Sequence, residues 1–218
     1  MNRRSLPVVA TLAAATALLL SACGGSDDNP KDMGKIAGAD SGNEKPSSSP
    51  SASPSDTAGR PNITLAKDMK NVFEGGTTGD PVKDAVLRDN EQRISSLDDA
   101  INARSLDRPA FNFYNAGDAA LSAAKWVKGF FDSGITWTGE VRYYDRKVTS
   151  LKMNVATLTY CSDESKSYNK DLKTGKKSGE VSDPTDSLVF YNTRLKKNND
   201  GTWQTTEVFS QRGSKQCQ

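Results

Sequence analysis

The 218-residue sequence predicts an α+β domain in which helices come first and an antiparallel sheet follows. Three observations carry this. Apolar residues recur at helical spacing between Pro81 and Asp132. After Gly134 the spacing changes to two. Every aromatic residue lies at or after Phe73, so the chain before it lacks the means to build a core.

Taken in order, Asn62 or Thr64 can cap a short helix with Leu65, Met69, Val72 and Phe73 on one face, stopped by Gly75-Gly76. Asp80-Pro81 is a strong helix start, a capping carboxylate followed by proline at the first helical position. The helix that follows carries Val82, Val86, Leu87, Ile94, Leu97 and Ile101, with Leu87, Ile94 and Ile101 seven apart on one stripe. Its middle, Arg88 to Arg93, is polar, which predicts a surface-exposed stretch; Asp98 and Asp99 are likewise expected to be solvated. Pro109 breaks the chain. A third helix is predicted from near Asp118 to Asp132, closed by Gly134, and its Leu121, Ala124, Trp126, Val127, Phe130 and Phe131 make it the expected centre of packing.

Beyond Gly134, Trp137, Gly139, Val141 and Tyr143 alternate with polar residues, as do Ala156, Leu158 and Tyr160. Val189, Tyr191, Thr193 and Leu195 share one strand face. Asn198-Asn199-Asp200-Gly201 is a turn, from which Trp203 to Phe209 returns as the last strand. Between Asp163 and Asp186 the chain is polar and lysine-rich, with Ser167 to Leu172 placed on an exposed hairpin strand. This order of elements is similar to the nuclear transport factor two-like cone shared with ketosteroid isomerases. That resemblance implies about three helices on a strongly bent sheet enclosing a pocket. More narrowly, Thr136-Trp137-Thr138-Gly139, Tyr160-Cys161-Ser162-Asp163, Lys173-Thr174-Gly175-Lys176 and Gly201-Thr202-Trp203-Gln204-Thr205 resemble a group of actinobacterial lipoproteins. Those carry a lipobox, a Ser/Pro tether and one such domain, here residues 61–218.

The N-terminus has the charged head, apolar middle and small-residue end of an export signal over residues 1–22. Arg3 and Arg4 form the head, and an apolar run of roughly 15 residues, short of the ~20 that span a bilayer, ends in Leu20-Ser21-Ala22-Cys23. That ending resembles the lipobox of bacterial lipoproteins, which implies a diacylglycerol thioether on Cys23 and cleavage before it. Residues 23–60 then form a lipidated Ser/Pro/Gly linker, of which Pro46 to Ser55 is low complexity. The expected location is the outer face of the cytoplasmic membrane, with the membrane itself a partner through Cys23. Lipidation of Cys23 leaves Cys161 and Cys217 as an even pair in an oxidising compartment, and a bridge between them is expected.

Composition removes several functions. Histidine is absent, which takes away imidazole as a base or metal ligand, and no metal or cofactor is expected. The net charge is +2, and loss of Arg3 and Arg4 would leave 27 charges of each sign. No nucleic-acid partner is expected from so even a balance. Ser122-Ala123-Ala124-Lys125 fits the Ser-x-x-Lys of penicillin-binding enzymes, but Asn169 and Lys173 are too close together for that fold, so Ser122 and Lys125 are read as a wet helix face. Gly75-Gly76-Thr77-Thr78-Gly79 lacks the end of a phosphate loop. Two functions stay open. One is a non-enzymatic surface module that binds a protein or cell-wall component. The other, implied by the ketosteroid isomerase resemblance, is an enzyme with a carboxylate base and a tyrosine donor, for which Trp137, Tyr143 and Tyr160 would line the pocket and Asp132 would lie near it.

Overall fold

The computed structural model describes residues 59–179 and 183–218. The expected signal segment, Cys23 and nearly all of the expected linker lie outside the described residues. The elements run β1 (Met69–Phe73), α1 (Pro81–Ala103), α2 (Pro109–Tyr114), α3 (Gly117–Ser133), β2 (Ile135–Lys152), β3 (Val155–Asp171), β4 (Lys177–Ser178), β5 (Leu188–Lys197) and β6 (Trp203–Arg212). The strands form one sheet in the order β1-β2-β3-β5-β6, with β4 paired to the far end of β3. β2, β3, β5 and β6 are antiparallel neighbours, and β1 adds a parallel edge. The helices cover one side, which is the expected α+β arrangement.

The first predicted helix is instead strand β1. Met69 to Phe73 pair in parallel register with Gly139 to Tyr143, and Met69 is buried against α1. The apolar spacing fits a helix, but so short a segment gains little from helix nucleation. Pairing with the edge of β2 gives the inward-facing backbone groups of this segment partners instead.

α1 starts as predicted. Asp80 accepts hydrogen bonds from the Val82 and Lys83 amides at 2.9 and 3.2 Å, and Pro81 takes the first turn. Such a cap contributes about 1 kcal/mol. α1, not α3, is the centre of the fold. Leu97, Ala100 and Ile101 belong to one core cluster with Met69, Val127 and Trp137; Val86, Leu87 and Ile94 belong to another with Leu158, Leu195 and Trp203. The polar middle of α1 is not at the surface: Asp89, Asn90 and Arg93 are buried, as are Asp98 and Asp99. Asp89, Arg93, Asp98 and Asp99 each meet a partner from outside α1, described below. α3 is peripheral, with Ala119, Ala123 and Val127 buried while Leu121 is 72% and Trp126 50% exposed. Phe130 and Phe131 pack partly buried against the core, and Trp126 stands half-exposed at the cavity. Ser122 and Lys125 are exposed, as read from the sequence. Pro109 does not simply interrupt the chain; it occupies the first turn of α2.

Gly134 ends α3 with φ 66°, and its N–H returns to the carbonyls of the last turn. Gly139 has the stricter requirement. Its φ is 106°, and a Cβ there would lie 2.1 Å from the Lys166 carbonyl oxygen on β3. Register shifts follow in β2 between Glu140 and Arg142 and between Tyr144 and Lys147, and such bulges bend a strand. The chain ends on a Cys161–Cys217 disulfide, Cα atoms 5.7 Å apart, that fastens the C-terminus to β3. The Tyr144 hydroxyl donates to the Cys217 carbonyl at 2.6 Å and holds the same segment to β2. The chain-entropy account gives such a bridge roughly 4 kcal/mol. Among the described residues no helix is long and apolar enough to cross a membrane.

Gly139→Ala is expected to lower unfolding free energy by more than about 2 kcal/mol, because both the backbone angle and the approach of β3 forbid a side chain there. Urea unfolding followed by tryptophan fluorescence reads this; an unchanged midpoint would mean that β2 and β3 do not meet as described.

Candidate functional site

The helix-facing side of the sheet carries a ladder of aromatic rings, one from each of four adjacent strands. Phe73 on β1 stacks on Tyr143 of β2 at 4.9 Å between centroids. Tyr143 meets Tyr160 of β3 edge-on at 6.2 Å, and Tyr160 stacks on Tyr191 of β5 at 4.7 Å. Period-two alternation in each strand sends these rings to the same face. Opposite them, α1 presents Arg93, Ile94, Leu97 and Asp98, and α3 presents Ser122, Ala123, Trp126 and Phe130. Between the two layers lies an open cavity of about 630 Å³. Trp137, Tyr143 and Tyr160, named from the sequence, all line it, and Tyr191 joins them. Arg212 donates to Glu164 at 2.7 Å on the same wall.

Asp132 is not at the cavity. It is exposed on α3 and accepts from Lys128 at 2.6 Å, one turn away. The carboxylate that does line the cavity is Asp98, 4% exposed. Its Oδ2 accepts from the Asn71 side-chain amide of β1 at 2.6 Å, and its Oδ1 accepts from the Trp137 indole N–H of β2 at 2.9 Å. One carboxylate thus links α1 to two strands. Burial pushes the Asp98 carboxyl up to about 7, against the pull of these two donors. Both its neutral and ionised forms are therefore populated near neutral pH. Burial also pushes the Tyr143 phenol well up, and the negative charge of Asp98 adds to it. Tyr160 is raised by burial, with the neighbouring Arg93 guanidinium pulling the other way.

The buried charges of this domain fall into two groups. Asp89 pairs with Arg60 and accepts from the Trp203 amide at 2.8 Å. Arg60, assigned to the linker from sequence, is thus held against α1. Asp99 takes a two-point bond from Arg108 at 2.8 and 2.9 Å. Arg146 pairs with Glu91 and donates to the Leu87 carbonyl at 2.7 Å. These three charges are compensated by opposite ones. Arg93 and Asp98 are the two buried charged residues with no ion pair among the described residues, and both line the cavity. Arg93 is 6% exposed, and its Nε donates to the neutral Asn115 side chain at 2.9 Å. The cavity therefore combines a largely aromatic wall with the paired Arg212 and Glu164, one guanidinium that has no opposite charge, Arg93, and one carboxyl raised by burial, Asp98.

Trp137, Tyr143 and Tyr160 are named from the sequence as pocket-lining residues; Arg93, Asp98 and Tyr191, which line the same cavity, are not. A signal was present. Asp98 falls on the apolar stripe, between Ile94, Leu97 and Ile101, and Arg93 lies four residues before Leu97 on the same stripe.

No family profile matches this chain, and no curated protein matches it. Among solved structures it is similar to the intermembrane space region of the chloroplast protein ARC6, with 10% identity, 62% of this chain and 98% of that chain covered, and a TM-score of 0.39. It is also similar to a ketosteroid isomerase-like protein from Erwinia carotovora atroseptica, with 15% identity, 62% and 98% coverage, and a TM-score of 0.39.

The raised Asp98 carboxyl has a stability consequence. The folded value, about 7, lies above the unfolded value of 3.8, so the folded chain holds the proton more tightly between the two. This contribution is complete below about pH 4 and is lost as pH rises through 7. Asp98→Asn is expected to remove that fall, so that the gap in urea midpoint between wild type and variant changes from pH 5 to 8. Parallel curves over this range would place the Asp98 value near that of an exposed carboxylate.

Proposed function

We propose that this chain is a lipid-anchored extracytoplasmic lipoprotein whose domain binds a small, largely apolar molecule in the cavity between α1, α3 and the sheet. The observation that carries the reading is the cavity itself. Its volume of about 630 Å³ is in the range of small-molecule sites, and its wall joins aromatic rings to a few convergent polar groups, Asp98 and Arg93 foremost. A body of roughly a dozen carbon atoms can lie along the Tyr143–Tyr160–Tyr191 rings, while a polar group meets Asp98. Neutral Asp98 can donate its O–H to a ligand oxygen; ionised, it can accept from a ligand hydroxyl or amine. This is more specific than a flat surface module, because it gives the anchored domain a cargo.

The anchor is read from Leu20-Ser21-Ala22-Cys23 and the Ser/Pro-rich segment after it. One acyl chain holds a protein marginally and two hold it stably, so a diacylglyceryl thiol at Cys23 would keep the domain at the membrane face.

A second reading, proton transfer on a bound carbonyl compound, is favoured by one observation. Asp98 lines the cavity, and burial raises its carboxyl to about 7. Its partners are two N–H donors, however, and not a tyrosine hydroxyl. Those donors hold the carboxylate in place, which suits binding better than turnover.

Nile red, a neutral apolar dye, is expected to bind the exported domain saturably at one site with a rise in emission. Ser122→Trp, a change at an exposed position on the cavity wall, is expected to abolish that rise while leaving the unfolding midpoint in place. Dye binding that ignores this substitution, or no binding by the wild type, would refute the cavity reading. Separately, a clickable palmitate analogue is expected to label the wild-type chain and not Cys23→Ala. An unlabelled wild-type chain in the medium would refute the anchor.

A further inference from the structure

We infer that the molecule held in the cavity carries a carboxylate, and that Arg93 is its partner. This rests on the reading of the cavity as a ligand site and goes beyond it by naming the charge of the ligand. Five charged residues are buried among the described residues, and three of them meet an opposite charge: Asp89 with Arg60, Asp99 with Arg108 and Arg146 with Glu91. Arg93 and Asp98 do not. Asp98 can escape the cost of burial by keeping its proton. An arginine cannot, because its guanidinium stays protonated at any pH a folded protein meets. A buried cation without an anion is costly, and a chain that compensates its other buried charges leaves this one facing a cavity.

The neighbours of Arg93 do not supply the missing charge. Its Nε donates to the Asn115 amide oxygen, which is neutral. The Tyr160 phenol, which also meets the Arg93 side chain, is raised by burial and brings no negative charge. Glu164, the other carboxylate on the cavity wall, is already bonded to Arg212 at 2.7 Å. The side left for an anion is the cavity. A carboxylate fits the planar fork of a guanidinium through two parallel N–H···O bonds, and such charge-assisted bonds are stronger than neutral ones. The spacing on α1 gives the rest of the ligand a direction. Arg93, Ile94, Leu97 and Asp98 share one face, and Arg93 and Asp98 are about 7 Å apart along the axis at 1.5 Å per residue. An anionic head at Arg93 therefore leaves an apolar body against Ile94, Leu97 and the tyrosine rings. The expected ligand class is a monocarboxylate with an aliphatic or cyclic apolar body, with room for a hydroxyl or carbonyl at the Asp98 end.

The test compares octanoate with 1-octanol as competitors for nile red, on the wild-type domain at pH 7.4. The two share a carbon chain and differ in headgroup charge. Octanoate is expected to displace the dye at roughly tenfold lower concentration, the usual margin of a charge-assisted hydrogen bond over a neutral one. In Arg93→Gln, checked for folding by its thermal transition, that advantage is expected to disappear, and in Arg93→Lys to survive in part. Equal displacement by the two compounds on the wild type would overturn the carboxylate inference and leave the cavity reading standing. It needs no variant, so a misfolded Arg93→Gln does not shelter the inference. An octanoate advantage that persists in folded Arg93→Gln would assign the anion to another cation and overturn it as well. Absence of nile red binding altogether would overturn both readings.

Discussion

The fold turns on the polar residues that α1 buries. A helix lying between a sheet and other helices is ordinarily apolar on its inner stripe, and α1 departs from this at Asp89, Arg93, Asp98 and Asp99. Each of these groups is costly to bury and must be met by a partner. The partners come from Arg60, Asn71, Arg108, Asn115 and Trp137, some of them tens of residues away in sequence. Asp98 is the clearest case, since its two oxygens fix α1 to β1 on one side and β2 on the other. Apolar packing against the two core clusters supplies the gain from burial, and these polar contacts set the direction in which α1 lies across the sheet.

That direction makes the cavity. With α1 held at Asp98 and the sheet bent at Gly139, the tyrosines of β2, β3 and β5 face α1 and α3 across open space. α3 touches the sheet through small residues such as Ala119, Ala123 and Val127, so it roofs the space without filling it. The same constraint fixes the chemistry. Three buried charges are cancelled within the protein; Arg93 and Asp98 are not, and both are left on the wall of the cavity. An apolar space with a fixed cation at one point and a titrating carboxyl at another is suited to molecules that are greasy along most of their length and polar at the ends.

Much of the architecture is legible in the sequence, because period and punctuation are local properties. Asp80-Pro81, Gly134 and Asn198 to Gly201 mark their boundaries as expected, and alternation identifies β2, β3, β5 and β6. The cysteine pair follows from counting once Cys23 is set aside, and the bridge is present. The site is harder to read for a physical reason. A polar residue on a helix can face water or face a distant partner, and local spacing does not distinguish the two. Arg88 to Arg93 therefore reads as surface, although the partner of Asp89 is Arg60 and that of Arg93 is Asn115. Asp98 is expected to be solvated, yet it shares the stripe of Ile94, Leu97 and Ile101 and is buried. β1 was misread for a related reason. Met69 to Phe73 has helical spacing but is too short to form a helix against the pull of an open sheet edge. The size of the α3 side chains misleads in the opposite sense, since Leu121 is large but exposed, and Trp126 is half-exposed at the cavity rather than buried in the core.

The most direct measurement is the titration of the Asp98 carboxyl carbon by NMR in the isotopically labelled domain. A carboxylate buried between Asn71 and Trp137 at the cavity wall is predicted to change its chemical shift with a midpoint near pH 7. A midpoint near pH 4, where exposed carboxylates titrate, would mean that Asp98 is open to water, that α1 is not held to β1 and β2 through it, and that the cavity wall is not built as described.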